Sequence, residues 1–293
     1  MKRAFADCHP IINLAYFTTV LVFAMWFMHP AALLLSLLCA IINARLLCRQ
    51  GGKWRFLLPM LLLAAILNPL FNHEGMTILT YLPDGNPLTM EAILYGFAAA
   101  VMLGAVILWF ASVNAVLTAD KLIYLFGRIV PGFSLLLSMI LRFVPRFRQQ
   151  LFRMRRASAC MGQDVQDGSI LTRAKRGMTM LSGLATWSLE TAAATADSMK
   201  SRGYGLPGRS SFAVYRMTKR DIYLLVWVVF CTANVIASYL CGGFAWRYYP
   251  RISTTIGNTV TIWGIAAYAG VSLTPLIVEI WEAAQWRISK SGI

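Results

Sequence analysis

Acid is scarce in this chain. Its 293 residues include 12 Asp and Glu against 27 Lys and Arg, a formal net charge of +15. Histidine is scarcer still: His9, His29 and His73. None of the six cysteines (Cys8, Cys39, Cys48, Cys160, Cys231, Cys241) stands at C-x-x-C spacing from another. That excludes the usual zinc frameworks and gives no disulfide pattern. No metal or other cofactor is expected. A phosphate-cradling G-x-x-x-x-G-K-[ST] loop is absent too, since Gly51-Gly52-Lys53-Trp54 has neither the spacing nor the hydroxyl. Any ATP hydrolysis must therefore belong to another chain. The sequence motifs of nucleic-acid modules are also missing, so the basic charge is not read as a nucleic-acid footprint.

What the chain has is apolar length. It is 58% hydrophobic and 13% charged, with mean hydropathy +0.61. A soluble domain has to cover itself with polar groups and rarely reaches that balance. Six apolar runs are legible, at 11–28, 31–48, 56–71, 92–117, 222–240 and 256–280. Most are near the ~20 residues that a bilayer core requires. His29-Pro30 separates the first two as the turn of a helical hairpin, and His9 and His29, each before a proline at the end of a run, read as interface residues. Residues 72–89 read as a polar, turn-rich loop without lysine or arginine.

The basic residues place the loops. Arg45, Arg49, Lys53 and Arg55 lie between runs two and three, and residues 118–220 carry 17 Lys or Arg against 5 Asp or Glu. The excess of Lys and Arg on cytoplasmic loops puts these segments and both termini inside. The expected fold class is an all-α polytopic membrane protein with about six transmembrane helices. Its parts are residues 1–117 (four spans), 118–220 (a cytoplasmic module) and 221–293 (two spans and a tail). The expected place is the bacterial cell membrane.

The module is rich in Leu, Met, Phe and Ala, so it is not read as disordered. Residues 120–130 predict a short helix ended by Pro131-Gly132. A second helix spans 133–161, interrupted or kinked at Pro145, and its apolar residues Leu136, Leu137, Ile140, Leu141, Val144, Phe147, Leu151 and Met154 recur at helical steps. Its first half is almost wholly apolar. Arg142, Arg146, Arg148, Arg153, Arg155 and Arg156 crowd the remainder, and Gly162 caps the end. A third helix over 170–202 has the face Leu171, Ala174, Met178, Leu181, Ala185, Leu189, Ala192, Ala196 and Met199. It is stopped by Gly203, Gly205 and Pro207. Its small residues allow close helix approach. Arg202 in the last turn favours the negative end of the helix dipole, and its guanidinium is free to pair with a carboxylate on another protein. An arginine before a capping glycine is equally an ordinary solvated helix end, and the pattern alone leaves both open.

The segment Ala196-Asp197-Ser198-Met199-Lys200-Ser201-Arg202-Gly203-Tyr204-Gly205 resembles the second Ala-Arg-Gly signature of the transmembrane T component of energy-coupling factor transporters, ABC-type importers of vitamins and transition metals. Arg155-Arg156-Ala157-Ser158-Ala159-Cys160-Met161-Gly162 occupies the place of the first signature, with Met161 where the family has arginine. His9-Pro10-Ile11-Ile12-Asn13-Leu14 resembles the family's opening Asp-Pro-Arg-x-Lys-Leu pattern, without its Asp, Arg and Lys. The resemblance implies a coupling role without catalysis. Two cytoplasmic ATPase subunits would bind two helix tips, one formed by Ser201, Arg202, Gly203 and Tyr204, the other by Arg155, Arg156, Cys160, Met161 and Gly162. A small membrane-embedded S component, which captures the substrate, would pack on helix faces such as Leu181, Ala185, Leu189, Ala192 and Ala196, beside the lipid bilayer.

Three other readings follow from the residues. A membrane-embedded enzyme would need paired acids, bases or metal ligands. The apolar segments hold no Asp-x-x-Asp or His-x-x-x-His pair, and Glu91, Glu190, Asp197 and Glu279 are isolated. A stand-alone transporter would need a polar midplane site, for which Asn68-Pro69 and Asn114 are the faint candidates. A basic amphipathic module could also bind anionic lipid.

Overall fold

The computed structural model describes residues 5–47, 54–72, 74–81, 86–129, 131–162, 169–204, 206, 215–250 and 259–291. The stop residues Gly205 and Pro207, and His73, lie outside them. The chain divides into two compact units, Met1–Thr118 with Tyr215–Ile293, and Ala119–Val214.

The first unit is a bundle of apolar helices: α1 (Pro10–Trp26), α2 (Pro30–Leu47), α3 (Trp54–Phe71) and α4 (Met90–Val116). Residues 30–47 and 90–116, with the later helix of residues 219–240, are long and apolar enough to cross a membrane. Residues 10–26 and 58–71 form shorter apolar helices. The protein is thus an all-α, multi-pass membrane protein in architecture. One departure is small. The turn-rich segment before α4 forms a two-stranded antiparallel ribbon, β1 (Ile78–Tyr81) and β2 (Pro87–Thr89). Thr80 and the β-branched or aromatic neighbours in Ile78–Tyr81 suit an extended chain. The ribbon is tied to α4. Thr89 caps that helix by accepting from the Ala92 amide at 3.3 Å, and the Glu91 carboxylate accepts from the Thr77 amide at 3.2 Å and from its hydroxyl.

The core centres on Trp109, which is fully buried against Tyr16 with ring centroids 6.2 Å apart. Its indole N–H donates to Ser36 Oγ at 3.2 Å, so a buried donor is satisfied by the neighbouring helix.

The second unit of the chain interrupts this bundle and supplies three helices: α5 (Ala119–Ile129), α6 (Pro131–Cys160) and α7 (Ile170–Ser201). The α-helix runs through Pro145 without a break, and Val130, read as the end of the short helix, lies outside the described residues.

The bundle then closes with α8 (Lys219–Leu240), α9 (Thr259–Ser272) and α10 (Thr274–Ser291). The last apolar run, expected as one span, is two helices meeting at 53°. Pro275 explains the break, because its ring cannot accept a continuous helix through the preceding turn. The Ser272 carbonyl at the bend accepts from Tyr16 Oη and Asn43 Nδ2, both at 3.1 Å. Polar side chains from α1 and α2 therefore satisfy a backbone group at apolar depth.

The start of the bundle is pinned by polar contacts. His9 caps α1, its Nδ1 accepting from the Ile11 amide at 3.3 Å, a role usually filled by Asp, Asn, Ser or Thr. Its own amide donates to Asp221 Oδ1 at 3.4 Å, and Asp221 also completes a capping box with Thr218 at the start of α8. Arg220 forms an ion pair with Glu282 of α10.

Candidate functional site

The candidate site lies in the second unit, where α6 and α7 pack as an antiparallel pair. Phe147 and Trp187 meet edge to face, with centroids 5.6 Å apart. Met154 packs over Gly183, where even a Cβ would meet Met154 Cε at an ordinary contact distance of 3.5 Å. Towards the other end, Met139, Arg142, Phe143 and Arg146 of α6 share a cleft with Thr191, Ala194, Thr195, Ser198, Met199 and Arg202 of the α7 end.

This pairing sends the two predicted tips to opposite ends of the helix pair. Each tip lies about 20 Å from the Phe147–Trp187 contact along its own helix, at 1.5 Å per residue. The α7 end is a complete left-handed cap. Gly203 has φ +79°, its amide donates to the Lys200 carbonyl at 3.0 Å, and the Tyr204 amide donates to the Met199 carbonyl at 3.0 Å. Arg202 is the residue at the turn, exposed, with no ion pair among the described residues. The α6 end uses the same device: Gly162 has φ +71° and its amide donates to the Ala159 carbonyl at 3.0 Å. Met161 is 70% exposed there, Cys160 is exposed, Arg156 is exposed and Arg155 is half-buried.

The α7 face splits into two. Arg176, Gly177, Met180, Gly183, Leu184, Trp187, Ser188, Thr191, Thr195 and Met199 are the partly covered residues. Leu181, Ala185, Leu189, Ala192 and Ala196 are all exposed and recur at steps of three and four, forming one outward apolar stripe. Leu189 is 74% exposed. No residue of the 32-residue α7 is buried. Its hydroxyls are quiet: Thr186, Ser188, Thr191 and Thr195 each donate to the carbonyl four residues earlier, at 2.6–3.2 Å. The stripe therefore presents methyl and methylene groups with little unmet polarity.

Sequence reasoning passed over one grouping. Arg142 and Arg146 were read as filling the polar side of α6, yet the cleft brings them together with Arg202 across the pair. Their recurrence at i and i+4 was the available signal; their meeting with a residue 56 positions further on was not.

Elsewhere, His29 is fully enclosed, with ring centroids of Trp246 at 5.3 Å and Phe244 at 6.4 Å, and among the described residues neither ring nitrogen has a hydrogen-bond partner. Burial holds its pKa below the ordinary value. It was expected as an interface residue, and the aromatic loop after α8 covers it instead. Among the described residues no group of three or more His, Cys, Asp or Glu could hold a metal ion.

No known family model matches the chain. A stretch of 101 residues is 35% identical to the energy-coupling factor transporter transmembrane protein EcfT of Lactobacillus helveticus (strain DPC 4571). The match covers 34% of this chain and 36% of that relative, so the chain spans about a third of the length of the curated protein it matches. By name, that relative is of the family the Ala196–Gly205 signature resembles.

Proposed function

We propose that this protein is the transmembrane coupling component of an energy-coupling factor importer, carrying the motion of two ATPase subunits to a small substrate-capturing membrane protein. The observation that carries the reading is the α6–α7 pair itself: two long helices, each ended by a glycine cap, with their tips at opposite ends and an apolar stripe left uncovered on α7. Monomeric soluble surfaces rarely leave contiguous apolar stripes exposed, and partners cover those that persist. The likeness to EcfT supports the same reading from the sequence side.

In this account Arg202 docks in an acidic pocket of one ATPase. The other tip engages the second ATPase through Met161, with Arg155 and Arg156 one to two turns behind. Met161 is unbranched and adaptable, so this contact is apolar where the Arg202 contact is ionic. The stripe Leu181, Ala185, Leu189, Ala192 and Ala196 receives the substrate-capturing partner, and ATPase movement tilts it through the rigid helix pair. The protein itself catalyses nothing. The cargo is a vitamin or a transition metal ion, selected by the partner. The cytoplasmic side holds the basic half of α6, α7 and both termini, in the cell membrane of a bacterium.

Charge reversal tests the ionic tip. Arg202→Glu places two negative groups against each other, and truncation of such a buried interfacial charge costs ~2–5 kcal/mol. Recovery of ATPase subunits with the tagged chain is expected to fall at least tenfold, and uptake with it. Intact recovery and uptake in Arg202→Glu would remove the assignment.

A further inference from the structure

We propose that the cleft between α6 and α7 is a binding site for the phosphate of an anionic phospholipid, held by Arg142 and Arg146 with Arg202 at its edge. The cleft is an open groove of about 470 Å³ with its three arginines exposed along it, a volume within the range of small-ligand sites. Among the described residues three guanidiniums line it and no carboxylate does. None of the three has an ion pair among the described residues. The α7 acids, Glu190 and Asp197, lie off the lining. Three like charges gathered without a counter-ion call for an anion from outside. The threonines do not compete as donors, because the Thr191 and Thr195 hydroxyls already donate to the Trp187 and Thr191 carbonyls at 2.7 Å. Apart from the Ser198 hydroxyl, every side-chain donor lining the cleft is then a guanidinium N–H, whose planar fork matches phosphate oxygens two at a time.

The surroundings choose lipid over a protein carboxylate. Met139, Phe143, Ala194 and Met199 give the same cleft apolar walls. Immediately N-terminal on α6, Leu136 is 54% and Ile140 46% exposed, while the following turns carry the arginines. An exposed apolar half followed by a basic half along one helix marks the passage from acyl chains to headgroups. A phosphate between Arg142 and Arg146 leaves its acyl chain facing Leu136 and Ile140. Bound there, the lipid screens the two arginines from Arg202 and steadies the turn that carries it. The site stands or falls independently of whether Arg202 meets an ATPase.

The full chain in phosphatidylcholine nanodiscs doped with phosphatidylglycerol bearing a photoactivatable acyl chain tests this by mapping crosslinked peptides. Crosslinks at residues 136–146 are expected. They should fall at least tenfold in R142Q/R146Q, fall less in R142K/R146K, which keeps the charge but loses the fork, and persist in R148Q/R153Q, which removes the same charge elsewhere on α6. Unlabelled phosphatidylglycerol should compete. The proposal is overturned if R142Q/R146Q leaves the crosslinks unchanged, or if R148Q/R153Q removes them equally, which would mean diffuse attraction. It is also overturned if soluble glycerol 3-phosphate competes as well as the lipid, or if a glutamate-rich peptide displaces the lipid more effectively than phosphatidylglycerol does.

Discussion

His29 shows how far a single side chain can depart from its sequence context. Next to Pro30 at the end of an apolar run it reads as an interface histidine, yet Trp246 and Phe244, more than 200 positions away, enclose it. Nothing local encodes that cover. Its pKa is lowered by burial, so the folded state binds its proton less readily than the unfolded chain. The sign follows: its contribution to stability is complete above the unfolded value of about 6.5 and declines as pH falls through it towards the lower folded value. His29→Phe should therefore flatten the loss of thermal stability between about pH 7 and pH 5 in detergent. An unchanged acid slope in H29F would assign that loss to other groups. His9 is the opposite case. Its position before Pro10 reads as an interface residue too, but its role is local: it caps α1 as an aspartate would.

At the scale of elements, the long helices were legible because their caps and periodicity are local. The glycine stops at Gly162 and Gly203 are residues that tolerate positive φ, and both adopt it. Gly203→Ala should cost about 1 kcal/mol at the α7 end by forcing a Cβ into that conformation, and so weaken ATPase recovery without altering total helix content; a change in helicity instead would show that the cap holds the whole helix. The bend in the last run was less legible. Pro275 was visible, but a proline inside an apolar run is compatible with a kinked single span, and the partners of the Ser272 carbonyl come from α1 and α2. Tyr16→Phe removes one of those donors and should destabilise the bundle by ~1–3 kcal/mol, read by denaturant or thermal unfolding in micelles. A neutral Y16F would mean that Asn43 alone suffices. The side of α7 that meets α6 was also hidden. Apolar spacing traces a stripe but does not say which stripe is packed, and Trp187 with its small neighbours faces α6 while the more apolar stripe stays open.

For the whole molecule, charge carried most of what the sequence could say. Basic loops predict an inside, and the structure adds two native probes: Cys160 and Cys241 are exposed, whereas Cys8, Cys39 and Cys231 are buried. With Cys48 replaced by alanine, a membrane-impermeant maleimide should label Cys160 only from the cytoplasmic face and Cys241 only from the opposite face. Labelling of both from one side would contradict the proposed orientation. What composition could not convey is the partnership of distant residues, since Arg142, Arg146 and Arg202 meet only once α6 and α7 have paired.

The central claim is that this chain works as the coupling member of a four-part importer. Affinity purification of the tagged protein from native membranes in mild detergent, followed by mass spectrometry, tests it most directly. The account predicts two ABC ATPase subunits and a small hydrophobic membrane protein, whose identity would then point to the cargo. The chain recovered without them, under conditions where a control membrane complex survives intact, would contradict it.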